Sequence, residues 1–398
     1  MDDFPSLYIL DFDGTLADTG AVIRASMHRA LADLGLPDAT DAACTETIGL
    51  PLSAGFARLF PDAPADQAER YVAAYRRHFD ELNVPGAVPL FPGVADALAA
   101  LRARGARLAV ASSRHRRTLD VFVRDLGLDG LLDLVLGGGD APRAKPDPAP
   151  ALEVLSRLGA DASSAAVVGD TAYDIEMGRS AGCRTIAVSY GYGTRPALFA
   201  AGADVVIGDI AALPFVRPAL AARLRGVLPP PRYMHTIGVA DEARRLAARF
   251  GADESSAWLA GLLHDCAKGV PTAEQAATCD RLGVALDDET RRCPSVIHGF
   301  LGEHLARTLY GVEDETVLRA IRLHTIGGAG MSLLERIVFL ADAIEPRRDF
   351  AGVDAIRAAA ETDLDEALRL YVAGQFRHLA SRRVPIHTGL VRLWNDLV

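Results

Sequence analysis

A parallel, helix-flanked α/β sheet with a helical insertion, followed by an all-α domain, is the architecture that this 398-residue sequence predicts. Three observations carry the prediction. Short apolar runs at 7–10 (LYIL), 108–111 (LAVA), 134–136 (LVL), 165–169 (AAVVG), 185–188 (TIAV) and 204–207 (DVVI) alternate with helical patterns such as VADALAALRARG and APALEVLSRLGA. Strand and helix in alternation signal a parallel sheet covered by helices. Residues 18–85 interrupt the alternation with helical periodicity alone (VIRASMHRALADLGL, AERYVAAYRRHFDEL), and from Tyr233 onward nearly every segment reads helical.

Between the two regions, RGVLPPPR ends the alternating pattern, because consecutive prolines neither continue a helix nor enter a central strand. The expected organisation is therefore a first domain over 1–225 (core 1–17 and 86–225, helical cap 18–85), a proline-rich linker at 226–232, and a helical domain over 233–398. A length of 398 residues suits more than one core at roughly 150 residues per domain.

Composition excludes several roles. No run of about 18 apolar residues spans a bilayer and no charged-then-apolar signal follows Met1, so the expectation is a soluble, cytoplasmic protein. The net charge of −10 argues against nonspecific nucleic-acid or anionic-membrane binding. Five scattered cysteines without a C-x-x-C pair read as reduced thiols. Only two of the 42 basic residues are lysines, Lys145 and Lys268. In a chain biased so strongly to arginine, those two positions draw scrutiny.

ILDFDGTLADT places Asp11 at the carboxyl end of the first strand, with Asp13 two residues on and Gly14 allowing a tight turn. That end of an open parallel sheet is where ligands bind. Two carboxylates so close repel unless a cation lies between them or one holds a proton. A lone D-x-D is more often a surface turn, but Ser112 and Ser113 follow the second strand, Lys145 the third, and Asp170 and Asp174 the fourth. The fold brings these groups to one rim.

Over residues 5–215, these four motifs in this order resemble the haloacid-dehalogenase-like phosphatases, whose core is Rossmann-like. The resemblance implies that Asp11 is the nucleophile and that Asp13 is the general acid and base. It implies that Ser112 binds the transferring phosphoryl group, with Ser113, Gly14 and Thr15 also on the substrate side, and that Lys145 neutralises charge. It implies Mg²⁺ held by Asp11, the Asp13 carbonyl and Asp170, with Asp174 in support. Residues 18–85 match the cap of such enzymes, and TIGLPL and SYGYG resemble the phosphoglycolate phosphatase and pyrophosphatase branch. Arg114 stands where that branch often has lysine. Asp13 favours phosphoryl chemistry over dehalogenation, a feature shared with mutases.

Seven of the ten histidines follow residue 232. His235, the adjacent His264 and Asp265, His298, His324 and Asp342 are candidate ligands, and imidazole with carboxylate and no cysteine cluster suits iron, manganese or magnesium. Neighbouring helical residues point about 100° apart, so His264 and Asp265 meet one ion only at a bent helix end or around a dinuclear pair. This ordered pattern resembles the HD superfamily of metal-dependent phosphohydrolases. YMHTIGVADEARRLA, LAGLLHDCAKG, VIHGFLGEHLA and MSLLERIVFLADAIEPRRDF resemble, more narrowly, the bacterial symmetrical bis(5′-nucleosyl)-tetraphosphatases, which cut diadenosine tetraphosphate to two ADP.

That resemblance implies one ion on His235, His264, Asp265 and Asp342, with Asp265, His298 and His324 leaning to a second ion or to the phosphates. It implies that a metal-activated water attacks, and that Lys268 contacts the polyphosphate. Arg347 and Arg348 read equally as phosphate contacts or surface arginines, and His304, His378 and His387 as structural or solvent-facing, with His387, in the family-like tail, also a candidate to border the nucleotide. The whole then reads as a bifunctional hydrolase of small phosphoesters and dinucleoside polyphosphates. Two alternatives stay open: another nucleotide for the helical half, a deoxynucleotide or guanosine tetraphosphate, or a regulatory role for one half.

Overall fold

The computed structural model describes residues 4–84 and 86–398. Residues 1–3, at the head of the expected core, and Pro85, the last residue of the expected cap, lie outside the described residues. The chain forms two compact units, Met1–Ala219 and Leu220–Val398.

In the first unit six parallel strands make one sheet: β1 (Leu7–Leu10), β2 (Arg107–His115), β3 (Leu134–Gly138), β4 (Ala165–Gly169), β5 (Arg184–Val188) and β6 (Val205–Ile207), in the order β3-β2-β1-β4-β5-β6. β1 is central, registered on β2 and β4 (Leu7 opposite Arg107 and Ala165), and all of its residues are buried. It is a continuous apolar run because helices cover both faces of such a sheet. On one face Ile9, Ala109, Leu136, Val154, Val167 and Met177 share a core cluster. The order reverses at β1, between β2 and β4, and this places a crevice at the strand ends where the conserved logic of open sheets puts ligands.

Among the described residues of 18–85 the structure has four helices, Gly20–Asp33, Asp41–Thr45, Leu52–Leu59 and Ala65–Leu82, and no strand. Helices Gly20–Asp33 and Ala65–Leu82 pack on each other. The rings of Phe56, Tyr71, Tyr75 and Phe79 form a chain of aromatic contacts through this region, with centroids 4.8 to 6.4 Å apart.

The second unit is helical throughout its described elements, from the end of helix Pro218–Arg225 to Thr388–Leu397. Two features differ from expectation. The division between units falls inside helix Pro218–Arg225, upstream of 226–232. Leu220, Ala221 and Leu224 are buried, and Arg223 donates to the Leu309 carbonyl. The proline stretch itself is only partly a connector, since Pro230 and Pro231 open helix Pro230–Phe250. The first helical positions have no intrahelical acceptor for their N–H, so proline costs little there. No described helix is long and apolar enough to cross a membrane.

Candidate active sites

The first site gathers at the carboxyl ends of β1 and β4. Asp11 follows β1 and Asp170 follows β4, and the neighbouring strands bring both carboxylates to one rim. The turn after β1 is tight enough to require glycine: Gly14 has φ +83°, and a Cβ there would stand 2.3 Å from Asp170 Oδ2. Asp170 is held by the Thr15 hydroxyl on one oxygen (2.9 Å) and the Tyr192 N–H on the other (2.8 Å).

Asp174 lies in the first turn of helix Ala172–Ser180, in a capping box with Thr171. Its Oδ2 accepts from the Thr171 N–H and hydroxyl (3.1 and 2.6 Å), which leaves Oδ1 for Lys145. Lys145 Nζ bridges Asp11 Oδ1 and Asp174 Oδ1, 2.6 Å from each, and all three side chains are buried. Burial pushes Asp11 up to about 7, with Lys145 opposing and Asp174 and Asp13 adding to the rise. Burial also raises Asp170, and Asp11 and Asp174 raise it further. Burial works against the Lys145 charge, but its two carboxylate partners outweigh it and hold the ammonium above its ordinary value.

Ser112, in the second half of β2, is buried, and its Oγ accepts from the Arg114 N–H (3.1 Å). The Ser113 hydroxyl donates to the Gly49 carbonyl of the helical insertion (2.7 Å). Arg114 Nε lies 3.1 Å from Asp13 Oδ2, and the guanidinium stands over the rings of Phe79 and Phe122 (4.6 and 4.9 Å). Above these groups is a cavity of about 430 Å³ lined by the insertion and the sheet edge.

The second site is built at helix ends. Helix Glu254–Leu263 stops at His264, whose Nδ1 meets the Gly261 carbonyl (2.7 Å); helix Glu315–Leu323 stops at His324, whose Nδ1 meets the Ile321 carbonyl (2.6 Å). The last carbonyls of a helix lack intrahelical partners, so each imidazole donates its Nδ1–H to one. That fixes the tautomer and leaves Nε2 with a bare lone pair turned inward. After His264 the backbone leaves the helix, Asp265 taking φ −107° and ψ 16°, so the adjacent pair does converge from a bent helix end.

Inward-facing groups crowd one another. His298 Nε2 is 3.1 Å from His324 Nε2 and 3.2 Å from Asp265 Oδ1. His235 Nε2 is 3.0 Å from Asp342 Oδ1, and His264 Nε2 is 3.5 Å from Asp265 Oδ2. Arg232 donates to Asp265 (2.8 Å), and Arg348 to the carboxylate of Asp342. Burial presses His298 down to about 4, helped by His324 and Lys268. Burial also opposes the charge on His235, but hydrogen bonds to Asp342 and Glu345 raise it overall. Asp265 and Asp342 are held well below the usual carboxylate range, since histidine contacts overcome the cost of burial. Lys268 is half-buried and lowered, chiefly by burial and also by Arg232 and Arg348.

Residues 8–188 match the haloacid dehalogenase-like hydrolase family, and residues 232–347 match the HD domain family. The second half is 40% identical over 169 residues to the symmetrical bis(5′-nucleosyl)-tetraphosphatase of Bacillus subtilis, covering 42% of this chain and 89% of that protein. The chain is 40% identical over 205 residues to the probable phosphatase IndB of Dickeya dadantii, covering 50% of this chain and 88% of the other. It is 34% identical over 210 residues to a phosphoglycolate phosphatase of Cupriavidus necator, covering 52% of this chain and 90% of that protein. This chain joins a haloacid dehalogenase-like hydrolase to an HD domain.

Both families are metal-dependent hydrolases, and the side chains present suit a cation. In the hydrolase domain Asp11, Asp170 and Asp174 bring ligand oxygens within 4.8 Å of one another. Among the described residues Lys145 is the one ammonium hydrogen-bonded to them, so the cluster, when all three carboxylates are ionised, stays negative. In the HD domain three triads meet the same limit: His235, His264 and Asp265; His264, His324 and Asp342; and Asp265, His298 and His324. His264 Nε2 is buried without a hydrogen-bond partner. A bare buried nitrogen lone pair facing carboxylate oxygens is a costly arrangement that a cation relieves.

Of the residues expected at the sites, Asp11, Asp13, Ser112, Ser113 and Lys145 line the hydrolase crevice, Asp170 and Asp174 stand beside Asp11 beneath it, and Gly14 and Thr15 form the turn against Asp170; the six HD candidates form one cluster beside Lys268. Arg347 does not join them: its guanidinium donates to the Pro231 carbonyl, and the neighbouring Arg348 faces Asp342. His387 caps helix Thr388–Leu397, accepting from the Gly389 N–H (3.1 Å). Sequence reasoning missed Glu345, which is buried with Oε1 3.0 Å from His235 Nδ1, and Arg232. The spacing of Asp342 and Glu345, one turn apart at the end of helix Leu333–Ile344, was the available signal.

Proposed function

We propose that the HD domain hydrolyses dinucleoside tetraphosphates symmetrically to two nucleoside diphosphates, and that the hydrolase domain cleaves a phosphomonoester through an aspartyl-phosphate on Asp11. The first reading rests on the inward-facing cluster of four histidines and two aspartates flanked by Lys268, Arg232 and Arg348, in a domain 40% identical to a protein of that name. His235, His264, Asp265 and Asp342 would hold the principal ion, iron, manganese or magnesium, and Asp265, His298 and His324 a second ion or the phosphates. Asp11, Asp170 and the Asp13 carbonyl would hold Mg²⁺, with Asp174 in support.

When bound, a divalent ion supplies Lewis acidity toward phosphoryl oxygens and toward water. The protein's residues supply the rest. In the HD domain, Glu345 fixes the His235 ring and the two helix-end carbonyls fix His264 and His324, so the ligand atoms do not reorganise. Lys268 meets the polyphosphate, and its compact ammonium approaches phosphate oxygens that a planar guanidinium would crowd.

In the hydrolase domain, Lys145 takes one oxygen of Asp11 and orients the other toward phosphorus. The Ser112 hydroxyl donates to the transferring phosphoryl group. Asp13 protonates the leaving oxygen and then draws a proton from the water that opens the acyl phosphate.

The test is product analysis with the full chain, diadenosine tetraphosphate and added Mg²⁺, Mn²⁺ or Fe²⁺. ADP as the sole nucleotide product is expected. ATP with AMP in equal amounts rules out symmetrical cleavage, and release of nucleoside or phosphate from other nucleotides with diadenosine tetraphosphate untouched rules out the substrate.

A further inference from the structure

The crevice of the hydrolase domain has an unusual balance of size, apolar wall and spent charge. Its cavity of about 430 Å³ is much larger than a two-carbon acid needs. The inner part of the wall contributed by the insertion is mostly apolar, formed by Ile23, Met27, Ile48, Leu50, Tyr75 and Phe79, of which all but Leu50 are buried, while Thr47, Ser53, Arg76 and Asp80 add polar groups to the same wall. The two cations enclosed in the crevice already have partners: Lys145 lies between Asp11 and Asp174, and Arg114 lies on Asp13 with its guanidinium over the rings of Phe79 and Phe122. The other basic residues of the lining, Arg76, His115 and Arg143, belong to the exposed rim, with Arg143 paired to Asp147 at 3.1 Å.

Among the described residues a carboxylate on the leaving alcohol would find no unpaired cation in this interior, and leaving a charge so placed is expensive. An apolar group would gain the burial that the wall offers. Resting on the phosphatase reading above, we infer that the substrate is a phosphate monoester of an uncharged alcohol bearing a sizeable apolar or aromatic group, and that phosphoglycolate is a poor one. The phosphoryl end sits on Asp11, Ser112 and Lys145, and the alcohol lies against the insertion.

Steady-state kinetics of the full chain with Mg²⁺ test this, using n-alkyl phosphates from ethyl to hexyl, phenyl phosphate and phosphoglycolate. The expectation is a rise in kcat/KM of about three- to fourfold per methylene until the cavity is filled, the increment of burying one such group. Phosphoglycolate should lie at least tenfold below butyl phosphate.

Leu50→Arg, which places a cation in the wall, should flatten the alkyl series and narrow the gap to phosphoglycolate. Met27→Ala should reduce the slope without that gain, and it serves if the arginine variant fails to fold. A flat or falling alkyl series, or phosphoglycolate above butyl phosphate, overturns the inference while leaving an Asp11-dependent phosphatase in place. If no ester is cleaved, or if Asp11→Asn cleaves as fast as the parent, the phosphatase reading and the inference fall together.

Discussion

Both sites crowd carboxylates together, yet they compensate them differently. In the hydrolase domain a buried ammonium, Lys145, bridges Asp11 and Asp174 at 2.6 Å, a fixed charge throughout the physiological range. In the HD domain Asp265 and Asp342 face imidazoles and are capped by Arg232 and Arg348, and imidazoles change charge with pH. The contrast matches the chemistry proposed for each. A carboxylate that becomes covalently bonded needs permanent orientation, whereas a ligand set needs neutral nitrogens ready for an ion.

The strongest way to break this comparison is to disable each site alone. Asp11→Asn is expected to lower phosphoester hydrolysis by at least about 10³-fold, the scale of losing a nucleophile that acts with its partners as a unit. It should leave tetraphosphate cleavage within about twofold, and Asp265→Ala should do the reverse. Rate assays on both substrates decide it, and a substitution that suppresses both activities would show that the sites are not independent. Lys145→Arg and Lys268→Arg keep the charge but change its shape. Each should cost its own activity about 10²-fold, typical of one misplaced electrostatic group at a phosphoryl centre, while sparing the other.

Acid should separate the metal-free domains in opposite directions. His298 is depressed from 6.5 to about 4, so the unfolded chain takes up a proton that the fold refuses, and its contribution is lost as pH falls through that window. Converted at 1.36 kcal/mol per unit, the loss is on the order of 3 kcal/mol; the raised His235 offsets part of it, and the depressed Asp265 and Asp342 act in the same sense as His298 only below the ordinary carboxylate value. Asp11 and Asp170 are raised, so their contribution is present at acid pH and is lost as pH rises, for Asp11 through about 7. Hydrogen exchange on chelator-treated protein should show protection falling at 297–308 and 315–323 between pH 6.5 and 4, and rising around β1 and β4. Equal trends in both regions would remove the distinction. The smallest effect concerns support for Asp174: Thr171→Ala removes a helix cap and should lower stability by about 1 kcal/mol, read from a denaturant midpoint.

Much of this was legible because backbone patterns are local. The six apolar runs became the six strands, with β2 extended to His115, and the unbroken helical periodicity of the insertion became four helices. Lys145 stood out through the scarcity of lysine. The hidden features are pairings across long separations, such as Arg114 with Asp13 and His235 with Glu345, which depend on the packing of whole elements. Periodicity also could not choose between Arg347 and Arg348, because both lie beyond the end of helix Leu333–Ile344. The prolines misled for a related reason, since a proline that stops one helix is equally suited to begin the next.

The histidines that close two helices carry a further consequence. His264 lies at a set distance from the cap at Asp253, and His324 at a set distance from the cap at Asp314. Each helix therefore acts as a ruler with a phase. Removing one residue anywhere along it would draw the imidazole back by about 1.5 Å and swing it through about 100°, even if every ligand were retained. In these two segments the count of residues belongs to the site as much as the side chains do, and insertions or deletions should be confined to the turns outside them.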